Sequence, residues 1–216
     1  FQGNPFLDPE RSTQADLWLE GGGPGWSLRL SSFARRLAND VTLAPTDIDP
    51  LLPLSPDTVF RYVNGTATFY GAEVQGVLSV ADPLTLRARG NWLWGQDEQL
   101  DEPALGVSPP QASLGVRWAL PVTVGRIANA YLDAQVTAVA EQDRVATARG
   151  ETPTDGYATV DLKAGFRVAR RVGVEIGAEN LLDATYTNHL NATNPFTGAR
   201  VPEPGRVVSL DVTVEF

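Results

Sequence analysis

The 216-residue chain has no cysteine, no methionine and only one histidine. Without cysteine it can form neither disulfide staples nor thiolate metal sites. With His189 as the sole imidazole, neither a histidine-paired nucleophile nor a histidine-rich metal centre can assemble. No run approaches the roughly 20 apolar residues of a membrane-crossing helix. No signal peptide is evident and there is no initiator methionine at Phe1, so a processed form, a domain or a fragment is expected. A formal net charge of -9 argues against nucleic acid as a partner, because phosphate neutralisation needs clustered Lys and Arg. Hydrophobic residues make up 43% of the chain and the mean hydropathy is -0.14. Those values suit a soluble protein, and equally a transmembrane barrel in which only every second residue meets lipid.

What is abundant is alternation. In Arg206–Phe216, the residues Phe216, Val214, Val212, Leu210 and Val208 share one face, and Glu215, Thr213, Asp211 and Ser209 share the other. The same period of two runs through Tyr157–Val168, Val172–Glu179, Ala128–Ala140, Gln111–Leu120, Leu84–Trp94 and Tyr70–Val80. Earlier strands are expected near Gln14–Glu20 and Trp26–Arg35, about nine in all. Short connections (Gly21–Gly25, Ala81–Pro83, Pro121–Gly125, Arg170–Arg171) alternate with long polar ones near Ala38–Thr58, Gln96–Pro110, Gln142–Gly156 and His189–Gly205. A soluble β-sandwich also alternates, but it has no reason to segregate loop lengths this way. An antiparallel up-and-down transmembrane barrel does. In that reading Glu73, Arg87, Arg117, Asp133, Asp161, Glu175 and Glu179 face a wet lumen. Trp26, Trp92 and Trp94 form membrane-interface belts, and Trp18, on the charged face, packs into a core.

Four segments carry a family resemblance. Asn4–Glu10 (NPFLDPE), Asn64–Gln75 (NGTATFYGAEVQ), Gly177–His189 (GAENLLDATYTNH) and Pro204–Arg206 leading to a terminal Phe216 occur in an order that resembles TonB-dependent outer-membrane receptors. The resemblance implies the C-terminal part of a barrel of about 22 strands, strands 14 to 22, spanning residues 1–216. The plug, the TonB box and the first barrel half would then lie outside this sequence. It implies energised uptake of a scarce solute, such as a ferric siderophore, haem, cobalamin or a glycan. The implied partners are a TonB-type energy-coupling protein, outer-membrane lipid, the barrel-assembly machinery reading Phe216, and the rest of the same barrel. An open sheet in lipid would leave about five outward groups unpaired per edge, a cost of tens of kcal/mol, so completion by a further segment is expected. A passive or adhesin-like barrel is the alternative within the membrane class.

No catalytic constellation is present, so no enzyme and no cofactor are expected. His189 reads as a loop residue. Asp97, Glu98, Asp101 and Glu102 read as a solvated acidic loop, with calcium binding as the sharper alternative. Candidate solute-contacting loops surround Asp47 and Asp49 (Thr46–Pro50), Asp97, and Asn194 and Arg200 (Asn191–Arg200). Gly71 interrupts its strand where a close approach or a bulge is expected.

Overall fold

A computed structural model describes residues 3–49, 58–121, 123–169, 171–194 and 197–216. Phe1, Pro50, Arg170 and Phe196 lie outside the described residues. The strands are β1 (Arg11–Gly23), β2 (Trp26–Thr46), β3 (Val59–Ala81), β4 (Leu84–Asp97) and a two-residue β5 (Glu102–Pro103). They continue as β6 (Gln111–Ala119), β7 (Ile127–Val139), β8 (Tyr157–Val168), β9 (Val172–Glu179) and β10 (Val207–Val214). One 3-10 turn, Thr147–Arg149, interrupts the all-β pattern. The sheet order is β1-β2-β3-β4-β6-β7-β8-β9-β10, antiparallel throughout, with β5 added to β4.

The register aligns the alternating residues into continuous rows. One row runs Trp26, Leu78, Leu86, Val116, Ala134, Leu162, Ala178 and Val208 across eight strands. A neighbouring row on the opposite face runs Ser79, Thr85, Arg117, Asp133, Lys163, Gly177 and Ser209. A one-residue slip would exchange the two faces, so the burial requirement of the apolar row fixes the register. That row is nevertheless open: Leu78 is 49% and Val208 69% exposed. Exposed apolar surface on this scale marks an interaction face.

Among the described residues the buried apolar ones are Leu37, Ala67, Ala104, Val107, Val139, Val145 and Ala146, all at the end carrying the long connections. Folding the loops over one another creates this core, whereas the strands have no second layer to pack on. Trp18 is therefore not a core residue as expected. It lies on the polar face of β1, 70% exposed, with no layer above it.

Two bulges correct the strand boundaries and faces read from periodicity. Residues expected in a loop from Ala38 continue β2 as far as Thr46, paired to Val59–Thr66 of β3. The register shifts at Asn39, whose φ of 58° places one extra residue in the strand and inverts the alternation after it. A second shift lies between Ala128 and Tyr131 at Asn129, with φ 54°. Beyond it Ala128 pairs with Arg167 on the polar side, and Ile127 takes the apolar position expected of Ala128.

Gly71 is a close-approach glycine. The Phe33 ring of β2 lies over it on the polar face, and a Cβ there would come within 2.2 Å of a ring carbon. Glycine in a strand interior often marks such an approach. Gly71→Val is expected to lose about 1–3 kcal/mol through overpacking, read as a lower urea midpoint of the folded receptor. Adding Phe33→Ala should recover part of the loss; no recovery would mean that the ring is not the obstacle.

Candidate functional site: the polar face and the loop cap

Six of the seven residues expected to face a lumen come together on the polar face. Arg87, Arg117, Asp133, Asp161, Glu175 and Glu179 line a 360 Å³ hollow with Tyr131, Gln135 and Lys163. Asp133 accepts from Arg87 at 2.6 Å and faces Arg117 at 3.6 Å. The Arg117 guanidinium stacks 3.7 Å from the centroid of the Tyr131 ring, whose hydroxyl donates to Glu175. Lys163 approaches Glu175 at 3.7 Å. The result is a chain of opposite charges with solvent access, and such partly exposed pairs are individually weak. The seventh residue, Glu73, is on the same face but apart from the hollow, opposite Ser31 and Asn91.

The apolar face carries aromatics at both ends. Trp26 lies beside the short turn at Pro24–Gly25, and Trp118, paired with Leu84, lies at the same end. Trp92 and Trp94 lie toward the long loops, with Tyr70 5.4 Å from Trp94 between ring centroids. The sequence pattern had Trp118 on the correct face, but its place at the same end as Trp26 depends on the pairings that join β2, β3, β4 and β6. Ten residues of β4 separate Leu84 from Trp94, about 33 Å along the strand and about 25 Å once tilted by about 40°. Phe216 is fully exposed beyond β10 at the short-turn end.

The loops form a cap. Arg149, on the connection between β7 and β8, is 3% exposed at its side chain and bonds Asp97 and Glu102, both at 2.9 Å. It also donates to Thr42 Oγ1 and to the Pro103 carbonyl. The other Asp97 oxygen accepts the Gln99 and Leu100 amides. The expected solvated acidic loop is thus corrected. Asp97 and Glu102 are buried and neutralised by an arginine that sequence distance concealed, while Glu98 and Asp101 remain exposed.

A second knot is centred on Glu151, which accepts from the Gly106 and Ala146 amides and from His189 Nε2 at 3.0 Å. His189 Nδ1 is 3.0 Å from Thr154 Oγ1. His189 is in a loop, as expected, but 2% exposed. Two knots therefore join three of the long connections.

Between these knots and the strand ends lies a cavity of 480 Å³. Glu141, Asp143, Asp155, Tyr157, Tyr186 and Arg200 contribute to its wall. Tyr157 and Tyr186 stack at 4.2 Å between centroids. Burial, then the carboxylates of Glu203, Asp161 and Glu179, push the Tyr186 phenol above its ordinary value. It therefore stays a neutral hydrogen-bonding group throughout the physiological range. Of the candidate loop residues, Arg200 reaches this cavity, donating to the Thr152 and His189 carbonyls. Asn194 turns its own loop by accepting from Thr197. Asp47 and Asp49 lie beyond the end of β2, away from the cavity wall. Among the described residues no group of His, Cys, Asp and Glu is arranged to hold a metal ion.

A family model described as TonB dependent receptor-like, beta-barrel matches residues 1–181. Among solved structures, the copper transporter OprC is 22% identical with a TM-score of 0.84, covering 98% of this chain and 33% of its own. The ferric yersiniabactin uptake receptor FyuA from Yersinia pestis is 16% identical, with a TM-score of 0.73 and coverage of 96% and 30%. The FrpB iron transporter from Neisseria meningitidis is 15% identical, with a TM-score of 0.72 and coverage of 98% and 32%. The chain spans about a third of the length of the structures it matches.

Proposed function

Since the chain belongs to the TonB-dependent receptor-like β-barrel family, we propose that it forms part of the wall and extracellular loop cap of an outer-membrane receptor for energised solute uptake. In this reading residues 1–216 are a C-terminal barrel segment, and β1 and β10 pair with the remaining strands of the same receptor. The apolar rows meet lipid, Trp26, Trp92, Trp94 and Trp118 lie in the two interfaces, and the charge chain from Arg87 to Glu175 lines the lumen. Phe216 is the residue read by the assembly machinery. The energy-coupling protein acts through a part of the receptor outside this sequence.

The observation that carries the reading is the segregation of faces over the whole sheet. An unbroken apolar row and an unbroken polar row continue across the same strands, with nothing packed on either. A sandwich would cover one of them.

The capped cavity is the proposed solute-contacting surface. Its carboxylates, phenols and single guanidinium suit a solute recognised through oxygen and hydrogen-bonding groups. A cargo that needed soft sulfur ligands would find none in this segment, which has neither cysteine nor methionine.

Depth probes test the membrane reading. Fluorophores attached at Val212 and Leu162 in the reconstituted whole receptor should be quenched by lipid-borne quencher and shielded from aqueous quencher, with the reverse at Asp211 and Lys163. Aqueous quenching at both apolar sites would overturn it. Uptake of a candidate solute that vanishes when the coupling protein is deleted tests the transport part.

A further inference from the structure

Despite the net charge of -9, one region of the apolar face is cationic. We infer that Arg11, Arg36 and Arg144, set above Tyr70 and Trp94, form a binding patch for the phosphorylated headgroup of an outer-leaflet glycolipid. This rests on the membrane reading above.

The pairing brings these three residues together. Arg36 of β2 sits between Thr13 of β1 and Thr68 of β3, and Thr68 is opposite Gln96 of β4. Arg11 is two positions beyond Thr13, so its side chain leaves the same face. Arg144 comes from the β7–β8 connection and donates to Gln96 Oε1 at 3.0 Å and to the Gly95 carbonyl at 3.4 Å. Its guanidinium lies 4.8 Å from the centre of the Trp94 ring. The three cations therefore converge on one height of the sheet, at the loop end of the apolar rows.

Counter-charge is scarce there. Glu98 pairs with Arg36 at 3.2 Å while accepting the Thr68 hydroxyl. Arg144 bonds only neutral acceptors. The Arg11 side chain is exposed and has no hydrogen bond or ion pair among the described residues. The Arg36 side chain remains 65% exposed despite its partner. Three guanidiniums thus face one carboxylate.

The surroundings select the occupant. Guanidinium forks match phosphate oxygens, and the ring beneath Arg144 holds its fork nearly in place before binding. Below the cations lie the rings of Tyr70 and Trp92 and the rows ending in Leu17, Leu19 and Val74, where acyl chains would run. Free phosphate would use the arginines alone. A phosphorylated glycolipid uses the arginines with its phosphate and the rings and apolar rows with its sugars and tails. Simple snorkelling of arginines to the interface explains their height but predicts no preference for phosphate.

The test compares a bis-phosphorylated diglucosamine acyl lipid with its dephosphorylated counterpart, each presented to the whole receptor in detergent and measured by native mass spectrometry. Each arginine near an anionic headgroup contributes roughly five-fold, so the set should favour the phosphorylated lipid by about a hundred-fold. Arg11→Gln, Arg36→Gln and Arg144→Gln together should abolish that preference. Glu98→Gln, which keeps the acceptor for Thr68, should raise retention, and it keeps the proposal falsifiable if the triple variant does not fold. Equal retention of the two lipids, unchanged retention in Glu98→Gln, or displacement by millimolar inorganic phosphate alone would overturn the patch. Heat-modifiable migration of the same samples reports barrel insertion. A receptor that inserts but does not discriminate loses only this proposal, whereas one that never inserts loses the membrane reading.

Discussion

Arg149→Met is expected to cost the loop cap about 3–5 kcal/mol, the typical penalty for removing one partner of a buried ion pair. Asp97 and Glu102 are 2% and 10% exposed at their side chains and share this one guanidinium, so both would be left charged and dry. The loss should be local. In the intact receptor the connection between β7 and β8 becomes open to protease, while the barrel keeps its heat-modifiable migration. Asp97→Asn with Glu102→Gln in the same background should restore part of the protection, because removing the stranded charges is cheaper than keeping them. Unaltered protease resistance in the single variant would mean that the apolar contacts of Val107, Val145 and Ala146 hold the cap without the clamp.

The next largest effect is a contrast between adjacent residues. Leu162→Arg puts a cation midway along β8 on the apolar face, where it pairs with Ala134 and Ala178. Near the bilayer midplane that substitution is expected to cost about 2–4 kcal/mol. Lys163→Leu alters the neighbouring residue on the opposite face and removes one 3.7 Å pair with Glu175, in which the two side chains are 46% and 35% exposed. Its expected cost is about 0–1 kcal/mol. Urea titration of the receptor refolded into vesicles measures both. Similar costs at the two positions would contradict a lipid-facing side and a wetted side.

The strands were legible in the sequence because their physics is local. Alternation in Tyr157–Val168 and Val172–Glu179 needs no knowledge of partners, and the two strands have those bounds in the structure. Legibility failed where one extra residue reset the pattern, at Asn39 and Asn129. Both are asparagines, the residue type besides glycine that most readily accepts a positive φ, and that is the one local clue the sequence offered. The loop cap was illegible for a different reason. Asp97 and Arg149 are separated by 52 positions, and nothing in either neighbourhood announces the other. The acidic stretch around Asp97 has the composition of a solvated turn, and only the fold shows which of its carboxylates turn inward. Glu151 and His189 meet across a comparable distance. Gly71 was singled out as a site of close approach or a bulge, but Phe33 as its neighbour required the register.

Along the main path of the sheet each strand touches only its predecessor and its successor. Such a ribbon can lengthen one hairpin at a time, with no segment threading past another and little entropy spent on closing long loops. The same order makes it sensitive to counting errors: a pairing slip of one residue within a strand would turn the rest of that strand inside out. The kinks at Asn39 and Asn129 are counting devices in this sense: each absorbs one surplus residue, and ironing a kink out while keeping its asparagine would put the rest of that strand on the wrong face.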